Sequence, residues 1–204
     1  MGYSNGKVAG TLIFVAVAQF VLGLTVSEAL YSGYSVSDNY ISDLGVGPSS
    51  MIFNSTAFLM GLLLIIGAYF LQRAFKEFMM LTAMLVLTAI GTMGVGIFTE
   101  DAGTIHSVVS LIAFVFSGLS AIFSVVCSYV HKFKLVKMPF SVITVILGLM
   151  TLGALVLFVG KIYLGLGAGG MERMIVYPVL MWGAGFGGYL IAHPEKPTTQ
   201  QEPQ

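Results

Sequence analysis

The chain has 204 residues, 57% of them hydrophobic and only 9% charged, and its nine Lys/Arg balance its nine Asp/Glu to a net charge of zero. That charge density lies far below the roughly 25% of soluble domains, which excludes a soluble core, and the balance leaves no basic surface for nucleic acid. A single cysteine, Cys127, excludes an intramolecular disulfide and a cysteine-rich zinc site.

Six long apolar stretches follow one another: Val8–Leu30, Met51–Leu71, Phe78–Phe98, Ile105–Val130, Pro139–Tyr163 and Met174–Ala192. Each reaches or approaches the ~20 residues that a helix needs to cross ~30 Å of hydrocarbon. None alternates apolar and polar residues as a membrane β-strand does. The expected fold is an all-α integral membrane bundle of six transmembrane helices. It forms one domain over residues 1–192, with a polar, disordered tail over 193–204. Lys7, the first apolar run and Ser27-Glu28-Ala29 have the outline of a signal peptide. The run is long for one, and Glu28 would lie in the cleavage site, so the first helix is read as retained.

The connections sort by charge. Those after the second and fourth stretches carry Arg73, Lys76, Lys132, Lys134 and Lys137, and the termini carry Lys7 and Lys196. The positive-inside bias places these loops and both termini in the cytoplasm of a cell membrane. The basic run His131–Lys137 would there touch anionic lipid head groups. The opposite side holds Glu28, Asp38, Asp43, Glu100, Asp101 and Glu172 beside only Lys161 and Arg173, and its three connections would emerge together outside. Glycines Gly91, Gly94 and Gly96 in the third stretch and Gly183, Gly185, Gly187 and Gly188 in the sixth suit close helix packing.

The outward connections carry the chemistry. The first, Tyr31–Pro48, is dense in Tyr, Ser and Asp; the second, Phe98–His106, sets two acids and a histidine around a reversal. The third, Gly165–Arg173, is a glycine loop ending in Glu172-Arg173. A carboxylate beside a histidine forms a general acid/base pair, so His106 with Asp43, Glu100 or Asp101 is the candidate catalytic group. The same donors suit a divalent metal held by His106 with Asp43 or Glu100. Arg173 can clamp a phosphate or carboxylate through its planar fork, with Ser42, Glu172 and Glu28 as further ligand-binding candidates. Glu28, a turn inside the first helix, needs a partner or a proton at that depth. Lys161 and Arg173 are the cations nearest to it in depth.

Tyr40-Ile-Ser-Asp-Leu-Gly45 followed by Pro48 and Phe53, then Gly94 to Phe98, Glu100 and His106, resembles the pattern of the family called domain of unknown function 998. It is more distantly similar to the six-helix Frag1/DRAM/Sfk1 membrane proteins. The first resemblance implies a fold and no reaction. The second implies a lipid ligand, because those proteins are tied to lipid remodelling and distribution. The combined expectation is a multi-pass protein whose outward His/acid/Arg site binds an anionic or phosphorylated lipid head group, with hydrolysis or transfer there as the enzymatic form. A non-catalytic lipid-binding or membrane-organising protein is the alternative, and a small-solute transporter the third. The helix interiors offer a transporter only Gln19, hydroxyls and Cys127.

Overall fold

A computed structural model describes residues 4–130 and 135–193. It contains six helices: α1 (Asn5–Leu30), α2 (Ser50–Ala74), α3 (Met79–Ile97), α4 (Thr104–Val130), α5 (Phe140–Val159) and α6 (Gly167–Ala192). All six are long and apolar enough to cross a membrane, and no strand occurs among the described residues. The protein is therefore multi-pass. Most of the basic run His131–Lys137 and nearly all of the 193–204 tail lie outside the described residues.

Each helix packs against its neighbours in sequence, and α6 returns to α1, so the bundle closes into a ring with α6 also touching α4. Glycines set the closest approaches. A Cβ on Gly10 would lie 2.6 Å from the Gly187 carbonyl oxygen, and one on Gly91 would lie 2.5 Å from the Ala113 nitrogen. Neither space admits a methyl group, so the α1–α6 and α3–α4 seams depend on hydrogen at those positions. On α4, Ser117, Ser120, Ser124 and Ser128 are buried, and each hydroxyl donates to a carbonyl of its own helix. These hydroxyls are satisfied locally and form a small packing surface. Large apolar side chains such as Leu22, Val156 and Met181 stay exposed on the rim, as a lipid-facing surface requires.

The largest fully buried side chains include Phe75, Phe78, Phe186, Leu71 and Leu190, which belong to one cluster near the chain termini and the α2–α3 connection. That is the basic end. The opposite, acidic end gathers the α1–α2, α3–α4 and α5–α6 connections. The first two contain short 3-10 turns, Ser42–Gly45 and Glu100–Ala102, which touch one another.

Two boundaries differ from those expected. Helix α5 stops at Val159, because the chain reverses through Lys161, Leu164, Gly165 and Gly167, all at positive φ. Helix α6 begins at Gly167, seven residues before the expected Met174, so part of the glycine loop is helical. The first connection lies across this helix start. Ser37 O accepts from the Gly169 N–H at 2.9 Å, satisfying one of the donors a helix N-terminus leaves open. A Cβ on Gly169 would sit 1.9 Å from Asn39 O, so only glycine lets the connection dock there.

Candidate functional site

Arg173 organises the acidic end. It lies on the second turn of α6, 4% exposed, facing the first connection and α1. Its Nη1 donates to Val36 O at 2.9 Å, Gly169 O at 3.1 Å and Asn39 O at 3.3 Å. Its Nη2 donates to Glu28 Oε1 at 2.6 Å and to the Tyr34 hydroxyl at 2.7 Å. Tyr34 in turn donates to Tyr40 O at 2.8 Å. Burial pushes the Tyr34 phenol up to about 12, against the pull of Arg173, so it serves only as a neutral relay. The Glu28–Arg173 pair foreseen from depth is formed, while Lys161 is exposed in the turn after α5. The two terminal nitrogens expected to clamp a head group are instead occupied by protein oxygens, and the buried Nε has no hydrogen-bond partner among the described residues. Glu172 and Arg173 point to different partners and do not pair.

Glu172 is 6% exposed, and its Oε2 accepts from the Ile41 N–H at 2.5 Å. That bond fixes the first connection over α6 from a second direction. Two residues on, Asp43 shapes the turn itself: its Oδ2 accepts from Asn39 Nδ2 at 2.8 Å and from the Tyr40 N–H at 3.0 Å. Asp43 also interacts with Glu100 where the two 3-10 turns of the first and second connections touch. Burial raises Glu100 to about 7, and its hydrogen bond with Asp43, the Asp43 charge and the Asp101 charge push the same way. The Ser42 hydroxyl acts in the opposite direction. Near neutrality Glu100 therefore sits at its own titration point. Asp101 is exposed and bonds to Thr99 Oγ1. It belongs to the rim of this group.

His106 opens α4 and is buried. Its Nδ1 is 2.8 Å from Phe98 O and its Nε2 is 3.2 Å from Ser110 Oγ. A carbonyl can only accept, so Nδ1 carries the proton. In the neutral ring Nε2 then accepts from Ser110. The expected direct pairing of His106 with Asp43, Glu100 or Asp101 does not form, because the ring is held by the C-cap of α3 and by its own helix. To ligate a metal, His106 would have to release one of these contacts. Among the described residues no three His, Cys, Asp or Glu side chains form a metal-binding set.

These groups nevertheless meet around one cavity. A cleft of about 530 Å³ opens between the acidic ends of α4 and α5, with Ser42, Glu100, His106, Ser107, Ser110 and Glu172 among its lining. Its walls are apolar: Leu111, Phe114, Leu155, Phe158 and Val159. Leu111 and Val159 are exposed on the bundle's outer surface, so the walls continue into the lipid-facing side. A smaller cavity of about 80 Å³ shares Ser42, His106, Ser110 and Glu172 and extends inward to Thr88, Thr92 and Ser117. Glu28 edges a separate, mainly apolar groove between α1 and α6. Glu100, His106, Glu172 and Ser42 thus converge, with Asp43 interacting with Glu100, while Arg173 and Glu28 form a structural tie.

Ser110 is the functional candidate that sequence reading missed. It lies one turn beyond His106, and only that i, i+4 spacing signalled it.

No curated protein and no solved structure matches the chain. The model of one family, described as "Protein of unknown function (DUF998)", matches residues 14–188, spanning parts of both α1 and α6 and everything between. The chain carrying this six-helix bundle and its acidic-end cleft belongs to that family.

Proposed function

We propose that the protein resides in the cell membrane with both termini in the cytoplasm, and that it binds a lipid by its head group in the outward-facing α4–α5 cleft. One observation carries the reading: the cleft has a polar floor of Ser42, Glu100, His106 and Glu172 and apolar walls that run out to the lipid-facing surface. An amphiphile satisfies both parts at once, its head on the floor and its chain between α4 and α5. A purely polar solute would leave the apolar walls uncovered, which disfavours the transporter reading. The resemblance to the Frag1/DRAM/Sfk1 proteins points toward lipid as well.

The test is occupancy after mild purification. Ser107 is exposed on the cleft wall, so Ser107→Trp fills the cleft without entering the core. Native mass spectrometry of protein released from non-ionic detergent should show retained lipid in wild type, and its loss in Ser107→Trp. Met181→Trp, in the α1–α6 groove, should keep it. Equal retention in all three would refute the cleft as the lipid site.

A second reading, chemistry at the head group, draws support from Glu100. An acid poised at about 7 can give or take a proton at physiological pH. Ser110 and His106 supply a hydroxyl and a base in hydrogen-bond contact at the same floor. Hydrolysis or transfer at an ester or amide of the bound lipid is the reaction class these groups serve.

A further inference from the structure

We infer that the head group this cleft selects carries a protonated amine and not a phosphate or carboxylate. The inference rests on the cleft being the lipid site and deepens that reading. It begins from the charges that face the ligand. Glu100 and Glu172 line the floor with His106 and Tyr40, Asp43 interacts with Glu100, and no lysine or arginine is among the lining residues. The nearest arginine in sequence, Arg173, turns away and spends its terminal nitrogens on Glu28, Tyr34, two loop carbonyls and the Gly169 carbonyl of its own helix. An anion entering here would be desolvated beside carboxyl groups with no cation to balance it, an arrangement proteins avoid.

The hydrogen bonding of Glu172 and Glu100 gives the second, independent sign. Glu172 is 94% buried, borders both the cleft and the inner cavity, and uses its Oε2 on the Ile41 N–H. On the same floor Glu100 Oε2 is buried and has no hydrogen-bond partner among the described residues, although a buried carboxylate normally accepts several. A ligand that donates would complete it. An ammonium group has three donors and no acceptor, so it can be shared among Glu172, Glu100 and the Ser42 hydroxyl. Its charge would also favour ionisation of the carboxyls it meets. Hydroxyl-only head groups would satisfy the acceptors without the charge, and so should bind more weakly.

The experiment compares hexadecylamine, hexadecyl phosphate and hexadecanol at equal mole fraction in non-ionic detergent micelles, reading the thermal midpoint of the full chain at pH 7. The amine should raise Tm by about 5 °C, the order expected for a ligand well above its Kd. The alcohol should give less and the phosphate no rise. Glu172→Gln keeps an acceptor for Ile41 and Glu100→Gln keeps the side-chain volume; each should at least halve the amine effect. Ser107→Trp should abolish it. A rise with the phosphate that Ser107→Trp removes would overturn the amine preference while leaving the cleft as the lipid site. An amine effect that survives Ser107→Trp, or no effect of any amphiphile, would overturn both.

Discussion

Arg173 Nη2 and Glu28 Oε1 meet at 2.6 Å although the residues lie 145 positions apart, joining the last helix to the first at the acidic end. Arg173 is 5% exposed in its side chain and Glu28 23%, so the pair is largely withdrawn from water. Removing one member of such a pair leaves a buried uncompensated charge, a loss of about 3 kcal/mol. Glu28→Ala should therefore lower the thermal midpoint of the detergent-solubilised protein by several degrees. Arg173→Lys should do nearly as much, because one ammonium cannot replace a fork that reaches five oxygens. If Arg173→Lys kept the wild-type midpoint but lost lipid, the tie described here would be wrong and the guanidinium would belong to the ligand.

Gly169→Ala tests the docking of the first connection on α6. The added methyl would overlap Asn39 O, a backbone atom that cannot rotate away. The cost should be at least about 3 kcal/mol, at the upper range for overpacking. Gly188→Ala, in the same helix with nothing within 4 Å of the new methyl, should be close to neutral in the same melting assay.

How far the sequence reveals this protein follows from which forces are local. Apolar length and charge sorting mark the six helices because each span must satisfy the bilayer by itself. The acidic-end residues Asp43, Glu100, His106 and Glu172 are visible by composition. Their partners are not, because side-chain direction decides them. His106 bonds Phe98 O because the C-terminus of α3 ends beside it, and Arg173 faces α1 because of its rotation on α6. The early start of α6 was hidden too. Glycine-rich segments read as loops, and the partners that dock on this helix start, the Ser37 carbonyl among them, are tertiary.

The Glu100 carboxyl gives a pH signature. Its folded-state value of about 7 lies above the ordinary 4.5, so between those values the folded protein holds a proton that the unfolded chain has lost. Stability then falls as pH rises through this window, and the loss is complete above about 7. Asp43, Asp101, Ser42, Tyr40, His106 and Glu172 surround the group and remain in both proteins compared. Glu100→Gln should flatten the decline of Tm between pH 5 and pH 8 relative to wild type. An unchanged slope would show that Glu100 ionises normally in the fold.

Orientation is accessible by labelling. Ser32 lies exposed at the acidic end, and Lys137 lies exposed at the basic end. In a chain with Cys127 replaced by Ser, a membrane-impermeant maleimide added to intact cells should modify Ser32→Cys and spare Lys137→Cys until the membrane is opened. The reverse pattern would turn the cleft toward the cytoplasm.

The central claim is that an amphiphile occupies the α4–α5 cleft, and a structure of the protein in lipid nanodiscs tests it most directly. The account predicts head-group density within hydrogen-bond distance of Glu100 or Glu172, continuous with chain density between Leu111 and Phe158. A cleft closed by its own side chains, or filled by water while lipid density stays on the outer surface of the bundle, would contradict it.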